Sequence, residues 1–204
     1  VDFLMYNSYI ETQIYTKRDI SMNNDIKYKL ANAMKECMVS APVEKITVKE
    51  IVDTCGVTRQ TFYRNFQDKY DLINWYFGKI LTESFRQMGK GETVYKSLVN
   101  KFEYIQMEQL FFRAAFKNDE QNNLKDHDFE LIRQFYIDQI EDKSHRKISE
   151  KLLFQLEMYC QGSVFMTTQW VLGNRQYTPQ ELARLLTDSM PADLEKVFRE
   201  LKLI

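Results

Sequence analysis

The sequence predicts an all-α fold in two parts, a small helical head followed by a larger helical bundle, on three observations. First, its 204 residues include only 6 glycines and 3 prolines. Ordinary usage of about 7% and 5% would supply roughly 14 and 10, so the sharp turns that sandwiches, barrels and doubly wound sheets need are scarce. Second, apolar residues recur at three-and-four spacing through most of the chain, the period of a helix with one buried face. Third, 44% hydrophobic and 28% charged residues supply a core and a solvated surface, which excludes intrinsic disorder. The net charge of −1 further requires that any affinity for a polyanion come from a local cluster.

The elements follow in order. Residues 1–21 read as an N-terminal extension, 22–88 as the head and 89–204 as the body. A first helix over 24–40 is set by Ile26, Leu30, Ala33, Met34, Cys37 and Met38, and Ala41-Pro42 stops it. Thr47 with Glu50 three residues on is a capping box for a short second helix whose apolar face is Val48, Ile51 and Val52. Gly56 suits the left-handed residue that ends that helix, and Thr58 caps a third with Phe62 and Phe66 inward. Asp68 opens a longer fourth helix through Leu72, Ile73, Tyr76, Phe77, Ile80 and Leu81. Gly89-Lys90-Gly91 marks the boundary of head and body. Beyond it the helical stretches are 93–105, 106–116, 129–140, 149–172 and 179–201, with polar loops at 117–128 and 141–147. Thr178-Pro179-Gln180-Glu181 specifies the start of the last stretch, and Pro191 kinks or restarts it.

Several chemistries are not expected. Cys37, Cys55 and Cys160 are odd in number and widely separated, so they read as small buried hydrophobes rather than a disulfide framework. His127 and His145, the two histidines, fall in polar stretches and read as exposed; no zinc cluster, bound cofactor or triad is expected. No apolar run approaches the roughly 18 residues of a bilayer span, and the first twenty residues are broken by Asp2, Asn7, Glu11 and Gln13. The expectation is a soluble, cytoplasmic protein without a membrane partner. Asp126 with Asp128, Asp138 with Asp142 and Glu150 with Glu157 are conceivable acid pairs for a helical enzyme or adaptor. None has a glycine-rich loop beside it, and catalytic residues are not expected.

Two short helices joined by a glycine turn, after a supporting helix, have the spacing of a helix-turn-helix. With Phe62 and Phe66 inward, Arg59, Gln60, Thr61, Tyr63 and Arg64 are left outside, side chains suited to phosphates and base edges. Across residues 45–69, Lys45, Lys49, Arg59, Arg64 and Lys69 outnumber Glu50, Asp53 and Asp68. The run ITVKEIVDTCGVTRQTFYRNFQDKYDL, residues 46–72, resembles the DNA-binding domain of the TetR family of bacterial transcriptional regulators. The Thr-Val opening, the Gly-Val turn, the Thr-Phe-Tyr core and the spacing of Phe66, Lys69 and Leu72 carry the resemblance. The continuation through Trp75 is most similar to the branch of dihydroxyacetone kinase operon regulators. The resemblance implies that Thr47, Tyr63 and Lys69 meet phosphates and that Lys49, Arg59, Gln60 and Thr61 approach bases, with Thr58 and Arg64 completing the surface. Gln60 departs from the glycine that many members carry there and is able to add a base contact they lack, so the operator does not follow from a typical one.

The resemblance also implies a homodimer on double-stranded operator DNA, with the body from about residue 92 binding an effector and dimerising. That region is rich in aromatic side chains and methionine, which line small-molecule pockets but at helical spacing also build cores. Tyr76, Tyr104, Phe112, Phe116, Phe135, Met158 and Phe165 are the pocket candidates, and no charged residue stands inside an apolar run to mark a ligand's polar group. Control by a small molecule and control by a partner protein that turns the chain into an activator both remain open. A body whose aromatics fill its own core favours the second. Dimerisation is expected through the apolar faces of 149–172 and 179–201.

Overall fold

No β-strand occurs among the described residues, 26–88, 90–117 and 123–204, of the computed structural model; one isolated bridge joins Met88 to Glu92. The extension 1–21, the start of the first helix at 24 and Gly89 lie outside the described residues. By packing, the chain divides into two units at Leu72 and Ile73.

The first unit comprises α1 (Ile26–Ser40), a 3-10 turn (Val43–Lys45), α2 (Val48–Cys55), α3 (Arg59–Tyr63) and the opening of α4 (Lys69–Phe85). Its core is Leu30, Ala33, Met34, Val43, Ile46, Ile51, Val52, Phe62, Phe66 and Leu72, all buried. Asp68 accepts from the Tyr70 and Asp71 amides at 2.8 and 2.9 Å, which satisfies donors that the first turn of α4 would leave orphaned.

The second unit continues α4 and adds α5 (Val94–Met107), α6 (Gln109–Lys117), α7 (Leu124–Ser144), α8 (Glu150–Val171), α9 (Pro179–Asp188) and α10 (Ala192–Glu200). Helix α5 packs on α9, α7 on α8, and α8 also on α6 and α10. Thr178 and Glu181 form the expected capping box and Pro179 takes the first turn of α9. Pro191 restarts the chain, so the stretch 179–201 is two helices.

Other boundaries also differ from expectation. Helix α7 runs through parts of both anticipated polar loops, because Leu124, Asp128, Ile132, Tyr136 and Ile140 are buried at every fourth position. A carboxylate in that stripe hides it from an apolar count. Asp128, 0% exposed, accepts two hydrogen bonds from the equally buried Lys101 of α5, whose Nζ lies 2.9 and 3.1 Å from its two oxygens. Charged groups therefore do stand inside the apolar runs, contrary to the sequence reading, and Asp128 is not an ordinary polar surface position. The Lys101 ammonium also faces the Phe77 ring at 5.4 Å. Around the pair, burial pushes the Tyr136 phenol and the Cys160 thiol well above their ordinary values. Of the three cysteines only Cys160 is fully buried; Cys37 and Cys55 are partly exposed. His145 is exposed, whereas His127 is half-buried.

Candidate nucleic-acid interface

The helix-turn-helix is built by three local devices. Thr47 accepts from the Glu50 amide at 3.2 Å while Glu50 Oε2 accepts from the Thr47 amide at 2.7 Å, closing the capping box of α2. Gly56, at φ 70°, ends α2 in the left-handed conformation that other residues adopt at a cost of about 1–2 kcal/mol. Thr58 accepts from the Thr61 amide at 3.2 Å and starts α3. The turn is thus fixed at one end by the left-handed Gly56 backbone and at the other by the Thr58 side chain, and α3 is held by Phe62 and Phe66, 0% and 3% exposed, whose rings are 5.9 Å apart.

The Thr47 hydrogen bonds hold the Glu50 carboxyl below its ordinary value of 4.5. A lowered folded-state value adds stability above the ordinary carboxylate range, and that stability is lost as pH falls through it. Wild type and Glu50→Gln should accordingly differ in urea midpoint at neutral pH and converge on acidification. A constant difference down through the carboxylate range would show that the box acts by packing and not by charge.

The outer face holds Lys49, Arg59, Gln60, Tyr63 and Arg64, all exposed, with the Tyr63 ring edge-on to Phe62 at 5.5 Å. Among the described residues no carboxylate pairs with Lys49, Arg59 or Arg64. Their charge is available to a polyanion, and guanidinium and amide groups at the start of one helix match the base edges of a major groove. Thr47, Thr58 and Thr61 lie on the same surface, but their hydroxyls serve the caps: Thr47 donates to Glu50 at 2.7 Å, and Thr58 and Thr61 are 3.0 Å apart. Lys69 is set apart from the free cations. Its Nζ donates to the carbonyls of Val43, Glu44 and Ile46 at 2.7, 3.0 and 2.8 Å.

Residues 32–76 match the bacterial regulatory proteins of the tetR family, and residues 92–191 match a transcriptional regulator C-terminal region of the TetR type. The chain belongs to the TetR family. The matched profiles are those of DNA-binding transcriptional regulators. This TetR-family chain is 29% identical over 90 residues to the HTH-type dhaKLM operon transcriptional activator DhaS of Lactococcus lactis subsp. lactis (strain IL1403), a stretch covering 44% of this chain and 48% of that one. The match spans about half the length of that relative. Among solved structures, a dihydroxyacetone kinase operon activator DhaS superposes with TM-score 0.56 at 21% identity, over 87% of this chain and 97% of that one. The TetR family repressor AlkX from Dietzia sp. strain DQ12-45-1b gives 0.50 at 14%, over 85% and 97%. Both show the fold.

In the second unit of this TetR-family regulator the pocket candidates are scattered. Tyr76, Phe112 and Phe116 are buried in a packed aromatic cluster, Phe112 within 5.6 Å of Phe77 and 6.3 Å of Tyr76. Tyr76 donates to Glu108 at 2.6 Å. Phe135 is half-buried against Phe85 at 5.2 Å and Tyr104 is half-buried on α5. Met158 and Phe165 point outward, 62% and 59% exposed. None of the seven lines the open cavity of about 470 Å³ formed by Gln106, Gln109, Trp170, Arg175, Tyr177 and Glu181 with their neighbours. Sequence reasoning missed that cavity, which draws on four helices, α5, α6, α8 and α9, and on the loop between the last two. The Lys101–Asp128 pair was also missed, although Lys101 falls in register with Val94, Leu98 and Ile105 on the buried face of α5. Among the described residues no group of His, Cys, Asp or Glu is placed to hold a metal, and no helix is long and apolar enough to cross a membrane.

Proposed function

We propose that this chain is a cytoplasmic homodimer that binds an operator through α2 and α3, with Lys49, Arg59, Gln60 and Thr61 at bases and Thr47, Thr58, Tyr63 and Arg64 at the backbone. The observation that carries it is the uncommitted Lys49, Arg59 and Arg64 on a face braced from behind by Phe62 and Phe66. Functionally, residues 22–88 serve DNA and 89–204 serve control and assembly. Two copies place two recognition helices about 34–36 Å apart, in successive major grooves. Selection from random duplexes with the purified chain should therefore recover an inverted repeat with half-site centres about 10 base pairs apart. Absence of any enriched sequence sinks the reading. On the recovered site Arg59→Ala should cost about 1–3 kcal/mol, with random-duplex affinity little changed; equal losses on both would show that Arg59 reads no base.

Assembly rests on the outer face of α8. Most of the apolar residues expected to need a partner, among them Leu156, Val164, Leu182, Leu194 and Phe198, are covered within one chain. Phe154, Met158 and Phe165 on α8 and Leu185 on α9 are 63%, 62%, 59% and 45% exposed. Such a row at helical spacing suits a two-fold contact with a second copy. For control, the aromatic interior of the second unit fills itself, which favours a partner protein over a ligand buried among Phe112 and Phe116. The solved relative is named an operon activator, in keeping with that mode. A small polar effector in the open cavity is the other reading, and titration calorimetry against candidate effectors separates the two.

A further inference from the structure

Lys69 occupies the first turn of α4, where the family resemblance assigns a phosphate contact. An ammonium has three donors and no acceptor. All three are spent inside the first unit, on the carbonyl oxygens of Val43, Glu44 and Ile46 at 2.7, 3.0 and 2.8 Å. These carbonyls belong to the 3-10 turn and to the residue just before Thr47, the N-cap of α2. The side chains of Val43 in the turn and of Ile46 just after it are 0% and 2% exposed, so this backbone cannot move without disturbing the core. Burial lowers the Lys69 ammonium from its ordinary value, opposed by the charges of Glu44, Asp68 and Glu50. Arg64, the exposed cation assigned to the DNA backbone, has no such commitment among the described residues. To reach a phosphate, Lys69 would surrender charge-assisted hydrogen bonds worth more than neutral ones.

We propose that Lys69 is a positioning residue: it chelates the α1–α2 turn with its ammonium and so fixes the start of α2 relative to the start of α4, and it makes no phosphate contact. This deepens the DNA-binding reading and rests on it for the effect on affinity. The ligand geometry of three converging oxygens on one point charge also explains why lysine suits the position. A planar guanidinium spreads its donors in a fork and cannot converge on all three.

The test uses the full chain and a labelled random-sequence duplex of about 30 base pairs, long enough for two groove contacts one helical turn apart. Affinity is measured against potassium chloride for wild type, Lys69→Met and Arg64→Met at a temperature where circular dichroism shows each fully folded. Lys69→Met should lower affinity on the order of tenfold, about 1.4 kcal/mol lost from misplaced α2 contacts, with the slope of log affinity against log salt unchanged. Arg64→Met, at a backbone position, should flatten that slope by about one unit. A similar flattening in Lys69→Met overturns the proposal in favour of a phosphate contact. Unchanged affinity with only a lowered melting temperature overturns it in favour of a purely structural lysine. Should Lys69→Met not fold, the wild-type protein decides: a chelated Lys69 ammonium exchanges its hydrogens slowly, gives a resolved nitrogen-proton signal in the free protein and keeps it when duplex is added. Loss of that signal to fast exchange, or its shift on DNA, overturns the proposal. Wild-type protein that binds no duplex overturns the DNA reading itself, and the ammonium signal then judges the chelate alone.

Discussion

Asp128→Ala should be the most damaging single substitution in the second unit, with a loss of about 3–5 kcal/mol and a thermal midpoint lowered on the order of 10 °C. The reason is asymmetry. Lys101 and Asp128 have side chains only 4% and 0% exposed, so removing the carboxylate strands an ammonium in a core beside the Phe77 ring. Removing both charges has the opposite consequence. Taking two ions out of water costs several kcal/mol each, which their attraction repays only in part, so the double variant Lys101→Met with Asp128→Leu should match or exceed wild-type stability. Denaturant unfolding of the two variants and wild type checks both statements. A mild effect of Asp128→Ala would mean that water reaches the pair.

Phe165→Glu should convert the proposed dimer to a monomer of 24.5 kDa by sedimentation at micromolar concentration, without loss of helicity. The side chain is 59% exposed in one chain, so a carboxylate there is harmless to the protomer, yet across a two-fold axis it meets apolar surface or its own copy. Operator affinity should fall by orders of magnitude, because two linked half-sites gain from effective concentration and one does not. Phe154→Glu and Met158→Glu, on the same face, should act alike. A variant that stays dimeric would move the interface off α8.

How much of this was legible beforehand depended on how local each cause is. The capping boxes of Thr47 and Thr178, the left-handed Gly56, the Thr58 cap and the inward Phe62 and Phe66 all act within a few residues, so their spacing predicts them. The charged rung in α7 was illegible because Asp128 makes sense only with Lys101 on another helix. The aromatic residues of the body show the same limit. Phe112 and Met158 have similar hydrophobic character and lie on periodic stretches, but one is sealed at 0% and the other lies open at 62%; neighbours in space, not in sequence, separate them. The Lys69 chelate is a third case, since its three acceptors are backbone oxygens that no side-chain pattern announces.

The far end of the second unit returns to its beginning. The Val94 amide, first in α5, donates to the Leu203 carbonyl at 2.7 Å, and the Leu203 side chain is wholly buried. The face of α5 is covered by α9, and Tyr136 meets the Phe198 ring at 5.3 Å. The first unit, by contrast, draws its core from residues 30–72. On the ribosome these two patterns impose an order of events. The helix-turn-helix can reach its native packing as soon as its own short stretch has emerged, whereas α5 waits, with an uncovered apolar face, until almost the whole chain has been made. During that interval the bundle offers chaperones a surface that the head never shows. Nascent chains arrested before α9 should accordingly be protease-resistant in the head and protease-sensitive beyond it.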